Sequence, residues 1–133
     1  MRPPQKRWYA PLLKHPEGTS FFIHEFFPDA QYFLEKVEVR DRRMIRHVRF
    51  ELDGHVLQRG RSEIDLDRTH PKLIELLRTT NIPLAQLVKG FHVHRTRVRS
   101  TTRTREFHFN GDLHAKLFEH FYPLSQKKRS SKK

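Results

Sequence analysis

Two charged side chains stand among apolar neighbours on predicted strands, and their types and positions make them candidates for chemistry. In residues 44–52 the even positions are apolar except for Arg46, and in residues 113–122 the odd positions are apolar except for Glu119. Successive strand side chains point to opposite faces, so neither charge can be turned away from its own face. Because an unpaired buried charge is costly, we expect each to meet a partner or a polar ligand.

Two interpretations of Arg46 and Glu119 remain open from the pattern alone. In the first, they form a structural ion pair with each other, or the apolar face is open at one end of the strand. In the second, they line a mostly apolar pocket, in which the guanidinium binds an anion and the carboxyl acts as a general acid. Spacing alone does not decide between these interpretations.

Other residues with reactive side chains form weaker patterns. His92 and His94 share a strand face and could be metal ligands, but no third ligand stands at a recognisable spacing, so we predict no metal site and no cofactor. Ser62 and Ser100 lack the context of a nucleophile elbow, so nothing indicates a hydrolase.

The formal net charge of +12 raises the question of a nucleic-acid partner. Residues 1–14 contain four basic residues and residues 126–133 contain five, with no acid in either segment, so the segment between them is close to balanced. Alternation also predicts a basic stripe on one strand face, either solvated or in contact with RNA or an anionic substrate. The stripe consists of Arg95, Arg97, Arg99, Arg103 and Arg105. A basic protein associated with RNA or the ribosome is therefore one alternative.

Length and composition predict one folded domain. The chain has 133 residues, of which 35% are hydrophobic, and no apolar run reaches the ~20 residues that a membrane helix needs. It contains no cysteine, which excludes disulfides and thiolate chemistry and fits the cytosol best. We expect a cytoplasmic monomer with no membrane partner.

Turn signals and periodicity predict an α+β fold. Asp53-Gly54 is typical of a type I′ hairpin, and Thr69-His70-Pro71 and Asn81-Ile82-Pro83 each precede a short helical segment. A further short helix is expected after Thr19. The predicted strands cover residues 30–40, 44–52, 55–66, 91–99, 103–109 and 113–122. The predicted organisation is a basic, proline-rich lead (1–14), a domain (15–125) and a disordered basic tail (126–133).

Four stretches of the chain carry patterns that recur together in one order. They are Met44–Phe50 with Asp53-Gly54, Gly60-Arg61-Ser62, Ile82-Pro83-Leu84-Ala85 and the closing Leu117–Pro123, which contains an "E-x-F-x-P" pattern. Over roughly residues 44–125 these stretches resemble the chorismate pyruvate-lyase family, whose first hairpin has the pattern "R-x-V/I-x-L…D-G". The resemblance implies one antiparallel sheet of about six strands with short helices on one side.

The resemblance also implies an activity and a site. Members of the family cleave chorismate to 4-hydroxybenzoate and pyruvate, a step toward ubiquinone-type compounds, without metal or cofactor. By position, Arg46 would bind a substrate carboxylate, the backbone N–H of Leu84 would contact the ligand, and Glu119 would be the catalytic carboxylate. The alternative is an inactive relative that binds an aromatic acid. Relative to the pattern of that family, this chain has one extra residue between Gly111 and Glu119, which predicts a bulge or a shifted register in the last hairpin.

Overall fold

The computed structural model describes residues 6–14 and 18–124. Four short helices and six strands follow one another along the chain. The helices are α1 (Ala10–Lys14), α2 (Thr19–Phe26), α3 (Pro71–Thr79) and α4 (Leu84–Leu87). The strands are β1 (Gln31–Arg40), β2 (Arg43–Leu52), β3 (His55–Asp65), β4 (Val93–Ser100), β5 (Thr104–Gly111) and β6 (Ala115–Phe121).

Tight turns produce the first two hairpins. Asp53 and Gly54 have φ angles of 50° and 82°, as both central residues of a type I′ turn require. Asp41 and Arg42, with φ angles of 48° and 66°, form a second two-residue turn between β1 and β2, which the sequence did not predict. These turns place β1, β2 and β3 side by side.

All six strands form one antiparallel sheet in the order β1-β2-β3-β6-β5-β4. The α+β fold with a single six-stranded antiparallel sheet and a few short helices is therefore confirmed. In the centre of the sheet, Gly60 of β3 lies between Val48 of β2 and Glu119 of β6, and Arg105 of β5 lies beyond Glu119. This row runs through the face that the helices cover.

The helices bury that face in two separate hydrophobic clusters. The first joins α3 and α4 to one half of the sheet, with Leu73, Leu77 and Phe107 among its fully buried members. The second joins the N-terminal segment and α2 to the other half, around Trp8 and Phe121. Between them lies a strip of polar side chains, where the sheet carries its inward charges.

The N-terminal segment belongs to the folded domain. Trp8, Tyr9 and Leu12 are buried, and the ring of Tyr9 stacks on that of Phe121 at 5.5 Å between centroids. From the sequence these residues were expected in a lead before the domain, so the boundary predicted at residue 15 is too late. The predicted basic tail (126–133) lies outside the described residues.

The last hairpin is regular, which corrects the predicted bulge or register shift. Strand β6 pairs with β3 and with β5 without interruption. In the connection before β6, Asp112 accepts a hydrogen bond from the His92 amide at 2.9 Å. No helix in the described part of the chain is long and apolar enough to cross a membrane.

Candidate functional site

A cavity of about 280 Å³ lies between the two hydrophobic clusters. Its floor is the polar strip of the sheet, and its cover comes from the first turn of α2 and from α4. Apolar side chains form most of its wall, among them Val48, Phe50, Leu84, Val88, Phe109 and Leu117. The polar side chains in its lining are Thr19, Ser20, Tyr32, Arg46, Gln58, Ser62, Arg95 and Glu119. This is the composition of a small-molecule site, and its volume lies just below the usual range of about 300–1,000 Å³.

The three residues singled out from the sequence, Arg46, Leu84 and Glu119, all line this cavity. Arg46 and Glu119 do not pair with each other, so the interpretation that they form one structural ion pair is wrong. Glu119 pairs instead with Arg105, and Arg46 has no ion-pair partner in the described part of the chain.

Glu119 is held by two groups within a buried polar cluster. Its Oε1 accepts a hydrogen bond from Arg105 Nε at 2.9 Å, and its Oε2 accepts one from Thr19 Oγ1 at 2.5 Å. Arg105 also donates to Thr19 Oγ1 and to the Leu12 carbonyl, both at 2.9 Å. These contacts tie α1 and α2 to the sheet. Both oxygens of the carboxyl group that the sequence marked as catalytic are therefore engaged by protein groups.

Arg46 is the least compensated charge of the site. Its side chain is only 1% exposed, and Nη2 donates two long hydrogen bonds of 3.4 Å to the carbonyls of Thr80 and Ile82. Its Nε is buried and has no hydrogen-bond partner among the described residues. Burial lowers the pKa of Arg46, and the neighbouring Tyr32 hydroxyl opposes this shift. A buried guanidinium in this state favours an anionic ligand.

Leu84 contributes the start of α4 to the cavity. It follows Pro83, and as the first residue of the helix its amide has no acceptor within the helix. No backbone acceptor for this amide is found in residues 6–14 and 18–124. Its position is therefore compatible with the ligand contact that the resemblance implies.

Arg105 is the main functional residue that the sequence analysis misassigned. It was placed in an exposed stripe with Arg95, Arg97 and Arg99, but it is fully buried on β5. A bulge between Arg97 and Arg99 places Arg99 opposite Glu106, on the other face of the sheet. The predicted single-face stripe is therefore wrong. Arg105 continues the buried alternation of Phe107 and Phe109, the same signal that identified Arg46.

Arg95 extends the positive charge of the site to the edge of the cavity. Its guanidinium stacks on the ring of Phe107 at 4.6 Å, and the guanidinium of Arg105 lies 4.7 Å from the same ring. Burial lowers the pKa of Arg95, the charge of Arg105 lowers it further, and Glu119 opposes both effects. A bound anion would relieve this repulsion.

Two further polar groups of the lining are unsatisfied. Ser20 Oγ and Gln58 Oε1 are buried and have no hydrogen-bond partner among the described residues. Neither residue is marked by a sequence motif, although Gln58, Gly60 and Ser62 alternate along one face of β3. In the described part of the chain, three buried side-chain polar atoms have no hydrogen-bond partner: Ser20 Oγ, Gln58 Oε1 and Arg46 Nε. All three belong to residues that line the cavity.

Nothing in the described ranges groups three potential metal-ligating side chains of His, Asp or Glu. His92 and His94, the pair considered from the sequence, lie outside the cavity lining. No protein-family model and no curated protein sequence matches this chain.

Proposed function

We propose that the protein binds a small aromatic carboxylic acid in this cavity and cleaves chorismate to 4-hydroxybenzoate and pyruvate. The observation that carries the proposal is Arg46, a buried guanidinium with no carboxylate partner in the described chain, in a mostly apolar cavity that also contains Glu119. A guanidinium on a rigid strand can fix a carboxylate through two parallel hydrogen bonds, and apolar walls suit a ring. The resemblance to chorismate pyruvate-lyases supports the choice of substrate.

The reaction needs a proton carrier and a fixed substrate. The bond from the ring to the ether oxygen breaks, and the neighbouring ring carbon, which bears the hydroxyl, loses its proton. The methylene carbon of the enolpyruvyl group gains a proton, so the ring becomes aromatic and pyruvate leaves. In this proposal the Glu119 carboxylate takes the proton from the ring carbon and delivers it to the methylene carbon, which returns Glu119 to its ionised state.

The charges around the cavity favour a dianion. Arg46 and Arg95 have no ion-pair partner among the described residues, whereas the charge of Arg105 is matched by Glu119. Chorismate carries two carboxylates, and two uncompensated guanidinium groups would attract it more strongly than a monoanion. The product 4-hydroxybenzoate carries one carboxylate, so this difference would favour its release.

A second candidate function is binding without catalysis. The specific observation in its favour is that Arg105 and Thr19 engage both oxygens of Glu119, so a substrate would have to displace one of these hydrogen bonds to reach the carboxyl group. On this alternative the protein holds an aromatic acid and does not convert chorismate.

The two functions are separated by one assay on the full-length protein. We expect incubation with chorismate near neutral pH to release 4-hydroxybenzoate and pyruvate in equal amounts. Arg46→Gln should weaken 4-hydroxybenzoate binding by about ten- to a hundredfold, because a hydrogen-bonded charge contributes about 1.5–3 kcal/mol. Turnover is followed by chromatography, and binding is followed by calorimetry.

The matched control is Arg49→Gln. Arg49 lies on the same strand as Arg46 but pairs with Glu35 and Glu51 outside the cavity. This variant should bind and turn over like the parent. Binding without turnover would select the second candidate function. If neither chorismate nor 4-hydroxybenzoate bound, or if both arginine variants behaved alike, the proposed site would be wrong.

A further inference from the structure

The amide oxygen of Gln58 is a buried polar atom that the described part of the fold leaves without a hydrogen-bond partner. Gln58 is 2% exposed, lines the cavity, and has no hydrogen bond to Oε1 from the described residues. Buried side-chain amides are normally satisfied, because losing water without gaining a partner costs free energy. Because this group lies on a cavity wall, a molecule bound in the cavity can supply the missing hydrogen-bond partner.

Gln58 is placed over the floor of the cavity beside Glu119. Its Nε2 lies 3.3 Å from the position that a Cβ on Gly60 would take, so the amide folds back over Gly60. In the sheet Gly60 is directly opposite Glu119, and Ser62, two residues along β3, is opposite Arg46. Same-face positions on a strand are about 6–7 Å apart. The amide therefore lies over the Gly60 row of the cavity floor, one same-face step along β3 from the row that contains Ser62 and Arg46.

We propose that Gln58 is a specificity-determining residue that hydrogen-bonds a hydroxyl group of the bound acid. The inference rests on the proposed function to the extent that Arg46 holds the ligand's carboxylate. A hydroxyl group both donates and accepts, so it satisfies whichever amide atom faces it. A site with such a buried amide discriminates against an acid that lacks the hydroxyl, because binding that acid leaves the amide unpaired and without water.

The test uses two probes that differ by one hydroxyl group, 4-hydroxybenzoate and benzoate, with calorimetry on the full-length protein. We expect the parent to bind 4-hydroxybenzoate at least about tenfold more tightly. In Gln58→Leu this ratio should fall close to one, through loss of affinity for 4-hydroxybenzoate, while benzoate binds as before or more tightly. The melting temperature should be unchanged or higher, because the substitution removes an unsatisfied buried amide.

The control is Gln31→Leu, a change of the same type on β1 outside the cavity lining, which should leave the ratio as in the parent. Gln58→Met is measured in parallel, so that a folding defect of one variant does not decide the result. The assignment is overturned if the parent binds both acids with an affinity ratio near one, or if the ratio of the parent persists in both Gln58 variants. In either case the amide binds water or has a structural role. If the folded parent binds neither acid, the proposed function fails with it.

Discussion

The residues of the site show that a charge on an apolar strand face can have two different explanations in one protein. Glu119 is compensated by Arg105, which comes from the neighbouring strand and is itself buried. Arg46 has no such partner in the described chain and faces a cavity. The same sequence signal identified both, but only the pairing of strands shows that Glu119 has a charged partner and that Arg46 has none in the described chain.

The Arg105–Glu119 pair leads to a prediction about stability. Arg105→Met should lower the free energy of unfolding by about 3–5 kcal/mol, because it leaves the Glu119 carboxylate buried without its counter-ion. The double variant Arg105→Met/Glu119→Gln should recover a large part of this loss, since it removes the stranded charge. Chemical denaturation measures both. Glu119→Gln alone should also destabilise the fold, because it leaves Arg105 buried without its counter-ion.

Arg99→Met provides the comparison for this prediction. Arg99 is exposed and lies opposite Glu106 on the outer face of the sheet. Exposed charges contribute at most about 1 kcal/mol, so this variant should unfold almost like the parent. Equal losses in the Arg99 and Arg105 variants, or no recovery in the double variant, would contradict the account of a buried ion pair.

At the scale of elements, the sequence predicted the strands well and the N-terminal segment poorly. Two-residue alternation and the Asp53-Gly54 turn located β2 and β3 to within a residue or two. Nothing periodic indicates that Trp8 and Tyr9 are buried, because their position depends on contacts with residues far along the chain, such as Phe121. The bulge in β4 was likewise invisible, since it appears only when that strand pairs with β5.

Two glycines with positive φ allow a prediction about the connections between elements. At Gly54 (φ +82°) an added Cβ would have no other atom within 4 Å, whereas a Cβ on Gly111 (φ +99°) would lie 2.3 Å from the His92 carbonyl oxygen. Gly54→Ala should therefore cost only the backbone strain, about 1–2 kcal/mol. Gly111→Ala should cost about 1–3 kcal/mol more, because the backbone must also shift.

Thermal and chemical unfolding of both alanine variants check this difference. Each variant serves as the control for the other, because the substitution and the sign of φ are the same. If Gly54→Ala proved as harmful as Gly111→Ala, the contact between the last hairpin and the start of β4 would not be the cause.

For the molecule as a whole, the sequence predicted the inward residues of the site but not their partners. Arg46, Leu84 and Glu119 were found because a charge or a motif marks each of them. Ser20 and Gln58 are uncharged and lie in no recognised motif. They are identified only by the structure, because each has a buried polar atom without a hydrogen-bond partner in the described chain. The cavity itself arises where two hydrophobic clusters meet around a polar strip, a property of packing that no local pattern encodes.

The distribution of charge over the molecule bears on the alternative of an RNA-associated protein. On the outer face of the sheet many basic side chains are matched: Arg49 and Arg59 both pair with Glu35, and Arg61 pairs with Glu63. Residues 126–133 contribute five positive charges and no acid. Any RNA affinity should therefore come mainly from this segment rather than from the sheet.

Deleting residues 126–133 tests that expectation without removing a described residue. Each charge that contacts a phosphate of a single strand contributes about 0.7 to the slope of log affinity against log salt, so the deletion should reduce the slope by up to about 3.5. The comparison variant, Arg59→Gln/Arg61→Gln, removes two outer-face charges and should change the slope little. Titration of a labelled RNA at several salt concentrations measures both. If the affinity survived the deletion but fell in the double variant, the sheet would be the RNA-binding surface and the basic tail would not.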